Sequence, residues 1–174
     1  MKSPADLAVV GVDPGPRPGM VMLRYSSPDP GEDSHRVLTA RPEVVQCTSG
    51  VLLPCVLAIL PADVRMIIVS YEEVVISAIS AKTSRRKALT ETARQGGALK
   101  TLKNHDARLI VRGRRATDVM TWASDERLER LGLLELTKGM VHARAAARHA
   151  IYSAYKDLNA PDPLSRNFKK LAVS

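Results

Sequence analysis

The sequence predicts an α/β domain built on a mixed five-stranded sheet, antiparallel in its first half, with helices on both faces. Three observations carry this reading. Short apolar runs separated by turn residues fill the first quarter of the chain, as in an antiparallel meander. Apolar runs of strand length then alternate with longer helical segments. Two of the apolar runs, Leu7–Val12 and Met66–Tyr71, end directly in acids, Asp13 and Glu72.

The first strand is expected from Asp6 to Val12. Asp13-Pro14-Gly15 then turns the chain and leaves the aspartate open to a cleft. A second strand is expected at Met20–Tyr25, before the turn cluster Ser26–Asp33. A third falls near Arg36–Arg41, with Glu43–Cys47 its continuation or a separate piece. A helix is read at Ser49–Leu60, with Pro54 tolerated only in its first turn or as a kink. Arg65–Tyr71 is the fourth strand, Arg86–Asn104 a long helix and Ala107–Arg112 the fifth strand. Ser124 is an expected N-cap for a short helix ending near Gly132, and a last helix runs from about Gly139 to Leu158. On a wheel of that helix Ala143, Ala147, Ala150 and Ala154 form a nearly flat apolar face suited to a sheet. His142, Ala145, Ala146, His149 and Ser153 form another. Gly96 and Gly97 lower the stability of their helix by about 1 kcal/mol each relative to alanine. They suit close approach, either to a partner subunit or to the core.

The chain has 174 residues, 45% of them hydrophobic, enough for one domain with a real core. That domain is expected over 1–160, with 161–174 a basic C-terminal tail. The net charge is +8 and the pI about 9.8, which points to an anionic partner such as nucleic acid. The charge is clustered. Lys82, Arg85, Arg86 and Lys87 form one group; Arg112, Arg114 and Arg115 form a second. These seven are the candidate phosphate-binding residues. Aromatic residues make up only 3%, too few for a broad base-stacking platform. Cys47 and Cys55 are read as buried free thiols, not a disulfide scaffold or a metal site. The start of the chain lacks a signal-peptide pattern and no run of about 18 apolar residues occurs, so a cytoplasmic protein away from membranes is expected.

Carboxylates at two strand ends suit hard divalent ions. Two such ions about 4 Å apart can activate water and stabilise the leaving oxygen of a phosphodiester. Asp13 and Glu72 can converge if their strands are neighbours, and the closing helix can add His142. Alone, Asp13 also reads as an ordinary turn aspartate and Glu72 as a solvated strand-end charge.

In combination these segments resemble the RuvC family of Holliday-junction resolvases, in the ribonuclease H-like superfamily. Val9-Val10-Gly11-Val12-Asp13-Pro14-Gly15 is similar to the family's opening "GIDPG", and Val69-Ser70-Tyr71-Glu72-Glu73-Val74 to its "AIEQV" strand. Ala93-Arg94-Gln95-Gly96-Gly97-Ala98 looks like its "ARG" helix. His142-Ala143-Arg144-Ala145-Ala146-Ala147 stands where the family has a closing helix with two acids three residues apart. Small phage-encoded members are similarly basic and compact. The resemblance covers about Leu7 to Tyr155. It implies a homodimer cutting four-way and other branched DNA by two-metal hydrolysis, inside a bacterial host if phage-encoded. Asp13, Glu72 and His142 would hold magnesium or manganese, with no small-molecule cofactor. Two departures stand out. Ala145 stands where the family has an acid, which implies either a natural weak or inactive member or a residue changed to trap substrate. Val75 stands where relatives often carry an aromatic. Glu73 is a lesser candidate, since its side chain is expected on the opposite face from Glu72. The alternatives are another ribonuclease H-like nuclease, acting on flaps, forks or RNA–DNA hybrids, and a protein that holds branched DNA without cutting it.

Overall fold

The computed structural model describes residues 6–26, 36–74, 86–166 and 168. Val75, Lys82 and Arg85 lie outside these residues. The architecture is α/β, with one mixed sheet and helices on both of its faces.

The central strand is β1 (Leu7–Asp13), buried along its whole length. β2 (Gly19–Ser26) runs antiparallel to it, from Leu7 opposite Tyr25 to Asp13 opposite Gly19. On the other side β5 (Met66–Glu72) runs parallel to β1, and β6 (Leu109–Arg114) parallel to β5. Among the described residues the sheet has six strands, not the five expected, because the outer edge of β2 is covered by two short pieces. β3 (Val37–Leu38) pairs with Tyr25 and Ser26; β4 (Glu43–Gln46) pairs with Gly19–Met22. Both pieces are too short for an apolar alternation to separate them in the sequence.

Strand alternation divides the core in two. Leu7, Val9, Val21, Leu23 and Ile68 face one way, onto α6 (Val141–Leu158). Ala8, Val10, Val12, Met20, Ile67 and Val69 face the other way. There they meet α1 (Leu52–Ile59), which follows a 3-10 turn at Ser49–Val51, and α2 (Arg86–Thr101). Pro54 sits in the first turn of α1, where its missing N–H costs no helical hydrogen bond.

Three further helices lie between β6 and α6. α3 (Ala116–Trp122) has no counterpart among the expected elements. α4 (Asp125–Arg130) is capped as expected, the Ser124 side chain accepting from the Arg127 N–H at 3.4 Å. α5 (Leu133–Leu136) follows Gly132, whose φ of 73° suits glycine. Trp122 stacks on Tyr155 of α6 with ring centroids 4.5 Å apart. The Arg127 guanidinium lies over the Trp122 ring and pairs with Asp162 at 2.7 Å. Part of the segment read as a tail is thereby tied to the domain.

The alanine face of α6 lies on the sheet, with Ala143, Ala147, Ala150 and Ala154 all buried. Glycine lets the helix come closer than side chains would allow. A Cβ on Gly11 of β1 would lie 2.0 Å from the Ala146 carbonyl oxygen. One on Gly19 of β2 would lie 2.2 Å from the His142 carbonyl carbon. The first turn of α6 therefore rests on the strand residue paired with Asp13.

Candidate active site at the β1 and β5 strand ends

Asp13 and Glu72 are the last residues of neighbouring parallel strands. Val12 pairs with Tyr71, so the next residues, Asp13 and Glu72, stand side by side. Both fall on the α6 face, in phase with Val9 and Ile68. Glu73 falls on the opposite face and pairs with Lys100 of α2 at 2.7 Å.

His142 completes a group of three. Its Nδ1 lies 2.7 Å from Asp13 Oδ2; with Asp13 ionised, the ring N–H donates and the carboxylate accepts. The Asp13 side chain is 10% exposed, that of His142 39%. Burial raises the pKa of both carboxyls. For Asp13, the bond and charge of His142 oppose the rise. For Glu72, the negative charge of Asp13 adds to it. Burial, and for Glu72 the charge of Asp13, favour the protonated forms of this pair, and a cation beside the two carboxylates would offset the same cost.

Among the described residues no three His, Cys, Asp or Glu side chains are spaced as a metal cage. The His142 nitrogen nearest Asp13 is engaged with that carboxylate. The two carboxylates by themselves still fit magnesium, which uses one or two carboxylates and fills its remaining positions with water and substrate phosphate. Ala145, three residues after His142, brings no ligand.

His149 does not join His142. It is 3% exposed, and its Nδ1 has no hydrogen-bond partner. Burial, then the charge of Arg114, lowers its pKa from 6.5 to about 4. Ser70, two residues before Glu72 on the same face, is fully buried, and its hydroxyl also lacks a partner. Neither signal is legible in the sequence, because a wheel shows which residues share a stripe and not which of them the sheet covers.

The basic candidates separate by setting. Arg86, Lys87, Arg112 and Arg115 are exposed. Arg114 is held by α6: its guanidinium donates to Ser153 Oγ at 3.2 Å and pairs with Asp157 at 2.6 Å. In register it stands beside Glu72.

Gln95 has a role that the sequence alone does not single out. It is 2% exposed on α2. Its Oε1 accepts from the Gly15 N–H at 2.7 Å, and its Nε2 donates to the Gly15 carbonyl at 2.9 Å and to Glu91 at 2.9 Å. The turn after Asp13 is thus clamped to α2 by both halves of one amide. A polar residue inside the expected apolar stripe of the helix is the available clue.

No family model fits the sequence, and no curated protein is significantly similar to it. Among the described residues no helix is long and apolar enough to cross a membrane.

Proposed function

We propose that this protein is a divalent-metal-dependent endonuclease of the ribonuclease H-like, RuvC-like type, which acts as a homodimer on four-way and other branched DNA. The observation that carries the reading is the pairing of Asp13 and Glu72. Two acids 59 positions apart in sequence meet at the ends of neighbouring strands, on the face that also brings His142 to Asp13.

Asp13 and Glu72 would hold magnesium or manganese. When bound, the ion supplies a Lewis acid for the phosphate and lowers the pKa of attacking water. The chain's residues do the rest. His142 donates to Asp13 and fixes the orientation of its carboxylate. A bound cation would favour the ionised form of Glu72 by offsetting the charge of Asp13. Arg112 and Arg115, exposed near the end of the strand beside β5, favour an approaching phosphate.

Ala145 favours a second reading, a protein that holds branched DNA and cuts it poorly or not at all. One assay separates the readings. Wild-type protein and Ala145→Asp are incubated with junction, fork, flap, RNA–DNA hybrid and linear duplex, with magnesium or manganese. Ala145→Asp is expected to raise junction cleavage by at least about 100-fold, the scale of a missing catalytic group, with junction affinity unchanged. Adding Asp13→Asn should abolish the gain. A folded Ala145→Asp protein that binds junctions and cuts nothing would leave the binding reading.

A further inference from the structure

A second feature lies on the other side of the Asp13 turn. An open cleft of about 1160 Å³ lies between that turn, the 3-10 turn before α1 and the first two turns of α2. Pro16 and Ser49 form part of one wall; Arg86, Lys87 and Arg94 stand on the other. Among the described residues the single acid in the lining, Glu91, is already engaged. Arg94 bonds it through two nitrogens, at 2.7 and 3.0 Å, and Gln95 donates to it at 2.9 Å. Those bonds hold its pKa down at about 2, so it stays an ionised anchor for the Arg94 guanidinium. Three cations against one carboxylate leave a net positive charge of two in the described lining, which makes a cleft for an anion. Its walls of proline, alanine and side-chain methylenes also suit the sugars of a nucleic acid strand.

The cleft is joined to the candidate active site. Pro16 is three residues from Asp13, so their Cα atoms are at most about 11 Å apart. That upper bound is the rise of about three nucleotides of one duplex strand. Gln95 stands one residue from Arg94 and holds the intervening Gly15 by both its N–H and its carbonyl. The cationic wall and the carboxylate turn are therefore parts of one rigid unit.

We propose that this cleft binds the phosphodiester backbone of a DNA strand a few nucleotides from the carboxylate pair, with Arg86, Lys87 and Arg94 holding its phosphates. The position relative to the cut rests on the nuclease reading above; the strand-binding site does not.

The test is a salt titration of binding to labelled four-way junction and to linear duplex, read by fluorescence anisotropy. The cleft triple Arg86→Ala/Lys87→Ala/Arg94→Ala is compared with a control triple, Lys103→Ala/Arg130→Ala/Lys138→Ala, which removes the same charge from exposed positions outside the cleft. The cleft triple should weaken junction binding at least about tenfold at low salt. It should also flatten the log–log salt slope by about 2.7, at about 0.9 for each phosphate no longer held. The control should flatten it by less than about 1. Equal losses in both triples, or no DNA binding by the wild-type chain, would overturn the proposal. Cleavage is scored separately in the Ala145→Asp background. No cleavage together with a selective loss of binding in the cleft triple removes the nuclease reading and keeps the strand site. Cleavage together with equal losses does the reverse.

Discussion

The two faces of the sheet are covered in opposite ways. On one face α6 lies on Gly11 and Gly19 with a row of alanines, so backbone meets backbone. On the other face α1 and α2 stand off on Met20, Ile67, Tyr71, Leu99 and Leu102. The close face carries the candidate chemistry: His142 reaches Asp13 because nothing larger than hydrogen separates the α6 backbone from β2 at Gly19. The distant face cannot bring a helix backbone to the strand end. It reaches the same turn with one long side chain, Gln95. Small residues thus place a histidine within bonding distance of a buried acid, while large ones leave room for a cleft.

The largest effect should come from closing the near face. Gly11→Ala would force a Cβ to within 2.0 Å of a backbone oxygen, which no rotamer change relieves. We expect a loss of about 4 kcal/mol or more, a large part of a small domain's total stability. Thermal melts by circular dichroism check it. Native-like melting of Gly11→Ala would mean α6 does not lie where the glycines place it.

Next is acid sensitivity of the same face. His149 is buried neutral, with its pKa lowered to about 4. A depressed histidine costs nothing above the unfolded value of 6.5, where both states are neutral. The cost grows as pH falls below 6.5 and is complete below about 4. It amounts to roughly 3 kcal/mol by linkage. His149→Leu should remove this part of the decline in urea midpoint between pH 7 and 4. The raised carboxyls of Asp13 and Glu72 act with the opposite sign, favouring the fold when protonated and weakening it as they ionise. If wild type and His149→Leu lose stability in parallel over that window, His149 is not buried neutral.

On the far face, Gln95→Leu should cost about 1–3 kcal/mol, because it strands the N–H and carbonyl of buried Gly15 without partners. Hydrogen exchange of the Gly15 amide should speed up in the same variant. An unchanged exchange rate would show that the clamp does not hold the turn in solution.

The smallest effect should be a gain. Gly97 is exposed on α2, and nothing lies within 4 Å of the place a methyl group would take, so it should accept alanine. The expected increase is about 1 kcal/mol, from helix propensity. If instead Gly97→Ala weakens self-association in sedimentation, the helix is the dimer contact that paired glycines suit. Gly96 has its explanation inside the chain, since a Cβ there would lie 3.1 Å from the Tyr71 ring.

Much of this molecule is legible in order along the chain. Hydrophobic runs place the central strands and the last helix to within a residue or two, because burial imposes period two or 3.6 on local sequence. Asp13 and Glu72 stand out because each interrupts an apolar run at its end. Ser124 announces a cap by its residue type and position. The tertiary structure decides what those local signals meet. The division of the outer edge into β3 and β4 depends on pairing with β2, not on either segment's own pattern. The fate of the two histidines depends on sheet coverage: helical spacing puts them on one stripe, but the sheet leaves one beside an acid and seals the other. Arg114 looks like any basic residue until Asp157, 43 positions later, engages it. Gln95 becomes a clamp only when the Asp13 turn comes down on α2, 80 positions apart in sequence. Periodicity is a property of neighbours along the chain, whereas ion pairs, buried charges and clefts are properties of neighbours in space.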